Sequence, residues 1–182
     1  MSVIRKLGIG LTTNSGSYKA KTTGCLLAAQ FSLLQQCRGL DIEALLGEGP
    51  YPHMDREMVV DAAFKRQCSH LLFVDGDMVF GPDAMLRLLA HDLDIVGAKY
   101  NKRATGETTV PGCEHILAPV PFVPTGFLLI AMSVIEKIGR PAFSMQGAES
   151  EDVFFCDKAI AAGYQVWCDP TIKVGHISEG IR

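Results

Sequence analysis

The chain has 182 residues, with 17 basic against 20 acidic side chains, a net charge of −3, 48% hydrophobic and 20% charged residues. That length suits one domain over residues 1–182, and the apolar content excludes disorder as the dominant state. The acidic balance argues against a strongly basic nucleic-acid footprint and leaves room only for a local basic groove. The longest apolar stretch, residues 120–135, is broken by Pro121, Pro124, Gly126 and Ser133, so no transmembrane segment of the roughly 20 residues a bilayer needs is expected. Residues 1–6 open no apolar leader, which makes a soluble cytoplasmic protein the expectation. Six scattered cysteines contain no C-x-x-C pair and read as reduced, mostly buried thiols. Cys113 and His115 have no second pair at ligand spacing.

In chain order, residues 3–12 suit a first strand, and the polar run Thr13, Asn14, Ser15 leads to a helix over residues 19–37. A short strand over residues 41–46 follows, then a Gly/Pro-rich loop. Residues 54–68 carry Met58, Val59, Ala62, Ala63 and Arg66 at helical spacing, with Asp55, Arg56 and Lys65 on the opposite face. Residues 70–74 form an apolar run too short for a helix, as a buried strand would be. Pro82 opens a further helix to about residue 91, and residues 94–98 and 126–131 read as two more buried strands. Ser133 and Ser150 are positioned to cap helices that end at Gly139 and Gly163. Two short strands, residues 165–168 and 172–174, close the chain. Strands alternating with helices predict a three-layer α/β sandwich around a mostly parallel sheet.

Three constellations carry chemistry. Asp75-Gly76-Asp77 ends the buried run at residues 70–74, and open α/β sheets bind ligands at the carboxyl ends of their strands. Hard divalent cations such as Mg²⁺ and Mn²⁺ take carboxylate oxygens together with substrate phosphates; an ordinary acidic turn would also use Asp-Gly. Glu149, Ser150, Glu151 and Asp152 open a predicted helix, where acidic side chains complement the helix dipole, yet three carboxylates exceed what capping needs and offer a general base. His176, just beyond the last strand, offers an imidazole as a partner for carboxylates around a metal.

LLFVDGDMVF, then PTGFLLIAMSVIEKIG, then SEDVFFCDKAIAAGYQVWCDPTIKVGHI together resemble glycosyltransferases of the GT-A fold, especially family-2-like enzymes and short glycosyltransferase-like proteins of phages and bacteria. The resemblance runs from the first strand to His176. It implies that Asp77 and Asp75 (directly, or through water or ribose), with His176, bind Mn²⁺ or Mg²⁺ on the diphosphate of a nucleoside diphosphate sugar, UDP being favoured. Asp152, or else Glu151, matches the base that deprotonates an acceptor hydroxyl in inverting members. Thr12, Thr13 and Asn14 correspond to the nucleoside-binding end of the sheet, with Arg56 where a basic residue approaches the nucleotide. Gly76 lies within the D-x-D turn, and Thr125 with Gly126 would line the acceptor side. Lys99, Tyr100, Lys102 and Arg103 form a basic patch suited to phosphate or an acidic acceptor. The acceptor itself is open between a glycan, a protein and a modified nucleic-acid base, and residues 101–119 are the candidate acceptor loop.

Two rivals stand beside this reading. Asp75-Gly76-Asp77-Met78-Val79 also satisfies the D-x-D-x-[TV] pattern of haloacid-dehalogenase-like phosphatases, in which the first Asp is a nucleophile. Such an enzyme needs a later strand-end acidic pair, for which Asp169 is the candidate, without a neighbour. A non-catalytic sugar-nucleotide-binding module is the second rival.

Overall fold

The computed structural model of the protein describes residues 5–13, 16–102, 105–147 and 149–177. Asn14 and Arg103, assigned above to the nucleoside-binding end and the basic patch, lie outside the described residues. Among the described residues the chain runs through nine strands and five helices.

The sheet is built on β1 (Lys6–Thr12) and β3 (His70–Asp75), with β2 (Asp41–Gly47), β7 (Phe127–Ala131), β5 (Ile95–Gly97), β8 (Trp167–Cys168) and β6 (Ala118–Pro119) completing the order β2-β1-β3-β7-β5-β8-β6. β1 pairs in parallel with β2 and β3, and β5 with β8, whereas β7 is antiparallel to both its neighbours and β6 to β8. The sheet is thus mostly parallel, as expected, with β7 and β6 reversed. A second, two-stranded ribbon pairs β4 (Met78–Phe80) antiparallel with β9 (Val174–His176), opposing Met78 to His176.

Period-two alternation sends each strand's side chains into two separate cores. Leu71, Phe73, Leu128 and Ile130 face α2 (Pro52–Lys65), α4 (Met132–Ile138) and α5 (Glu151–Ala161). Leu7, Ile9, Leu72, Val74, Phe127 and Leu129 face α1 (Ala20–Gln36) and α3 (Ala84–Ala90). Helices on both faces make the three-layer sandwich that the alternation of elements predicts. No helix among the described residues is long and apolar enough to cross a membrane. All six cysteines are free thiols, four of them buried. Cys113, weighed above with His115, points its thiol to the carbonyl of Cys168, 3.3 Å away.

Three expectations are corrected. The buried face of α2 holds Asp55, Arg56, Val59, Val60 and Ala63, and Met58 is exposed; the helix is turned so that charge-bearing Arg56 faces inward, because it finds carboxylates there. Ser133 lies inside α4, whose N-cap is Ala131, since the chain passes from β7 into the helix with no intervening loop. The final strand is shifted to Val174–His176 by its pairing with β4.

α2 packs close to β1 because β1 has glycines on that face. A Cβ on Gly10 would come 2.6 Å from Val59 Cγ1, and one on Gly8 would come 2.7 Å from Leu45 Cδ1. In the same core, Phe143 meets the Phe73 ring edge-on at 5.2 Å and stacks on Phe155 of α5 at 4.9 Å, so one aromatic line joins the central strand to the helix that starts at Glu151. Gly10→Val should force α2 outward and cost about 1–3 kcal/mol, read as a lower urea midpoint with an unchanged slope.

Candidate functional site

The site forms where β1 and β3 end side by side. Thr12 is in register with Asp75, and its hydroxyl donates to Asp75 Oδ1 at 2.8 Å. From α2, Arg56 reaches the same oxygen through Nη1 and Nη2, both at 3.2 Å, while Nη1 also contacts Thr12 Oγ1 at 3.1 Å. Its Nε donates to Glu151 Oε1 at 3.3 Å. The guanidinium lies 5.3 Å over the Phe73 ring and the residue is 4% exposed. Burial opposes its charge, but the carboxylates of Asp75 and Glu151 outweigh that cost and hold Arg56 above its ordinary value. Arg56 is therefore a structural hub between the ends of β3 and α5, a role that its position in the helix pattern did not announce.

The backbone closes round this hub. The Gly76 amide donates to Thr12 O at 3.0 Å and the Asp75 amide to Gly126 O at 3.1 Å. Tyr18, unmarked in the sequence reading, donates its hydroxyl to Val74 O at 2.5 Å. Gly126, beside buried Thr125, gives its amide to Tyr100 Oη at 3.1 Å; a Cβ there would press on the Tyr100 hydroxyl and come 3.0 Å from Asp75 Oδ2. A glycine is thus required by close approach at a point where the sequence offered only a strand start. Burial, and then the charge of Asp75, push the Tyr100 phenol upward, so it is a neutral hydroxyl.

Asp77 and His176 meet across the β4–β9 ribbon, with His176 Nδ1 3.5 Å from Asp77 Oδ2. The Ile177 amide donates to Asp77 O at 2.8 Å, and the Tyr100 ring packs edge-on against the imidazole at 4.8 Å. A carboxylate oxygen and an imidazole are donors that Mn²⁺ accepts. Among the described residues no group of three or more His, Cys, Asp or Glu is drawn together to hold a metal. Asp75, expected as a further ligand, has Oδ1 in the fork of Arg56. The protein pair would suit an ion that takes its other ligands from phosphate oxygens and water, as Mg²⁺ does.

At the start of α5, Glu151 is held by Arg56, whereas Asp152 Oδ1 accepts from the Ser150 hydroxyl and from the Val153 amide at 2.9 Å. Thr13 turns its hydroxyl to Ser17 O at 2.9 Å. Lys102 is exposed in the loop, where its amide donates to Glu107 O at 2.8 Å. Beside His176 opens a cleft of about 750 Å³ lined by Lys19, Lys99, Tyr100, Asn101 and Lys173, among others.

Asp169 is spent elsewhere. It is buried, with Oδ2 2.9 Å from His91 Nε2 and 3.5 Å from Arg87, and Oδ1 accepting from the Thr171 amide at 2.8 Å. Burial would raise its carboxyl, but the Thr171 hydrogen bonds and His91 hold it below the ordinary carboxylate value. It ties α3 to the segment before β9, its carboxylate committed to His91, Arg87 and Thr171.

No family model matches the sequence, and no curated protein matches it. Solved structures do. A197 from STIV superposes with a TM-score of 0.66 at 21% identity, covering 96% of this chain and 86% of that one. S. aureus TarS 1–349, solved in complex with UDP-GlcNAc, gives 0.59 at 17% identity over 97% of this chain. S. aureus TarS gives 0.61 at 16% identity over 96%. The fold is GT-A-like. This chain spans 59% of TarS 1–349 and 37% of TarS, and at these identities the likeness is one of fold, the fold of the glycosyltransferases that the motifs resemble.

Arg56→Met should leave Asp75 and Glu151 uncompensated and cost about 2–4 kcal/mol, somewhat under the full figure for a broken buried pair because Asp75 is partly exposed; urea denaturation measures it. Asp169 is the depressed-carboxyl case: its contribution is complete above the unfolded value of about 3.9 and is lost as pH falls through the folded one. Asp169→Asn should therefore lower the unfolding midpoint at neutral pH and change it little at about pH 2.

Proposed function

We propose that the protein is a metal-dependent, inverting glycosyltransferase that moves a sugar from a nucleoside diphosphate sugar, UDP being favoured, to an acceptor hydroxyl. The observation that carries this is the junction of two carboxylate positions through one buried cation: Arg56 binds Asp75 at the end of β3 and Glu151 at the start of α5. It leaves Asp77 beside His176 on one side and Asp152 on the other. The GT-A-like fold, shared with a protein solved with UDP-GlcNAc, supports a nucleotide-sugar donor.

In this mechanism Asp77 and His176 would hold Mn²⁺ or Mg²⁺, which supplies Lewis-acid stabilisation of the departing nucleoside diphosphate. Thr12, Thr13 and Gly76 border the nucleoside end, where Asp75 keeps Oδ2 for the donor while Arg56 occupies Oδ1. Asp152 takes the proton from the acceptor hydroxyl. The new oxygen–C1 bond forms as the C1–phosphate oxygen bond breaks, and the electron pair leaves with the diphosphate. Glu151 is the positioning member of the pair, because its carboxylate is already committed to Arg56. Thr125 and Gly126 form the floor beneath the sugar, and Tyr100 supplies a neutral hydroxyl beside it.

Asp77→Ala should abolish the Mn²⁺-dependent rise in thermal midpoint that UDP produces. Equal UDP shifts with Mn²⁺ and with chelator in the unaltered protein would remove the metal from the mechanism. Asp152→Asn should keep UDP binding and slow UDP release from a UDP-sugar by roughly 10²–10⁴-fold, the usual share of general-base catalysis. If Asp152→Asn kept full turnover and Glu151→Gln lost it, the base would move by one residue.

A further inference from the structure

The cleft that His176 lines has a one-sided electrostatic character. Its lining carries Lys19, Lys99 and Lys173 and no Asp or Glu among the described residues, in a chain whose net charge is −3. Among the described residues Lys99 and Lys173 enter no ion pair, although carboxylates elsewhere are matched by Lys6, Arg56, Arg87 and Arg140. Lys99 is half-buried, so its unbalanced charge is costlier than a solvated one. The volume of about 750 Å³ lies within the range of small-molecule sites.

With one divalent cation held by Asp77 and His176, the diphosphate charge of a nucleoside diphosphate sugar would already be matched. Lys99 and Lys173 therefore remain for a second anion. Single-stranded nucleic acid is the less suitable one, because it binds on exposed aromatic faces, and the aromatic ring here, Tyr100, is 8% exposed with the imidazole of His176 against it. We propose that this cleft is the acceptor site of the reaction above, and that the acceptor is a phosphate-bearing carbohydrate whose phosphate lies between Lys99 and Lys173. Its hydroxyl is thereby presented on the His176 side of the site. The inference rests on the transferase reading for the word acceptor, and on the cleft alone for the anion.

The test is calorimetric titration of the protein, saturated with UDP and Mn²⁺, with glucose 6-phosphate, with glucose, and with a short thymidine oligonucleotide. Lys99→Gln and Lys173→Gln are titrated in parallel, each checked for an unchanged thermal midpoint. Glucose 6-phosphate should bind about tenfold or more tighter than glucose, and each variant should lose about tenfold, the value of one charge-assisted hydrogen bond. UDP affinity should stay within about twofold in both variants. Equal binding of glucose and glucose 6-phosphate overturns the proposal. Weakened UDP binding in the variants also overturns it, by giving the lysines to the donor's diphosphate, and tighter binding of the oligonucleotide overturns it in favour of nucleic acid. Glucose 6-phosphate binding that the variants lose, in a protein that binds no UDP, upholds the anion site and overturns the transferase reading instead.

Discussion

A guanidinium at 4% exposure keeps its charge only where carboxylates replace the water it has lost, and Arg56 has two, from elements far apart in the chain. Asp75 ends the central strand; Glu151 opens the helix that carries Asp152. Removing Arg56 leaves two partly buried carboxylates uncompensated, which costs far more than a surface ion pair contributes, and removing either carboxylate takes away one of the two groups that offset the burial of the guanidinium. The separation between the D-x-D turn and the start of α5 is therefore set by one side chain's length and its fixed donor geometry.

That arrangement depends in turn on packing. Arg56 can reach the strand ends because Gly10 on β1 and Gly47 on β2 lack the Cβ atoms that would push α2 away. Beneath it, Phe73, Phe143 and Phe155 fill the space between β3 and α5 with rings in edge-on and stacked contact, so the two carboxylates are carried on elements that cannot slide independently. The polar hub and the aromatic line act on the same pair of elements, one at the surface of the core and one within it.

The two sides of His176 differ in sign. Toward β3 the groups are Asp75, Asp77 and the start of α5; toward the cleft they are lysines. A polar partition of this kind is made by the β4–β9 ribbon, which opposes Met78 to His176 and so brings the last strand back beside the D-x-D turn. Tyr100, neutral and buried between Gly126 and His176, separates the acidic half from the basic one with a hydroxyl that carries no charge into either.

Much of the fold was legible locally. Apolar runs at residues 70–74, 94–98 and 126–131 were strands because they are too short and too β-rich for helices, and the D-x-D turn at the end of the first is a chemical statement needing no tertiary information. The order of motifs up to Gly175-His176 carried the GT-A resemblance. What one chain could not display was direction and partnership. The reversal of β7 follows from pairing with β3 and β5 across the sheet, and nothing in FLLIA encodes it. Arg56, by helical spacing, belonged with the solvated charges, and only the meeting of Asp75 and Glu151, residues 19 and 95 positions away, made the interior its lowest-energy place. The sequence by itself determined the layered α/β class and the chemical groups available at the strand ends. Tertiary structure decided which carboxylates are committed to Arg56, because periodicity reports one face of one element, whereas a buried charge is stabilised by whatever distant groups the fold brings to it.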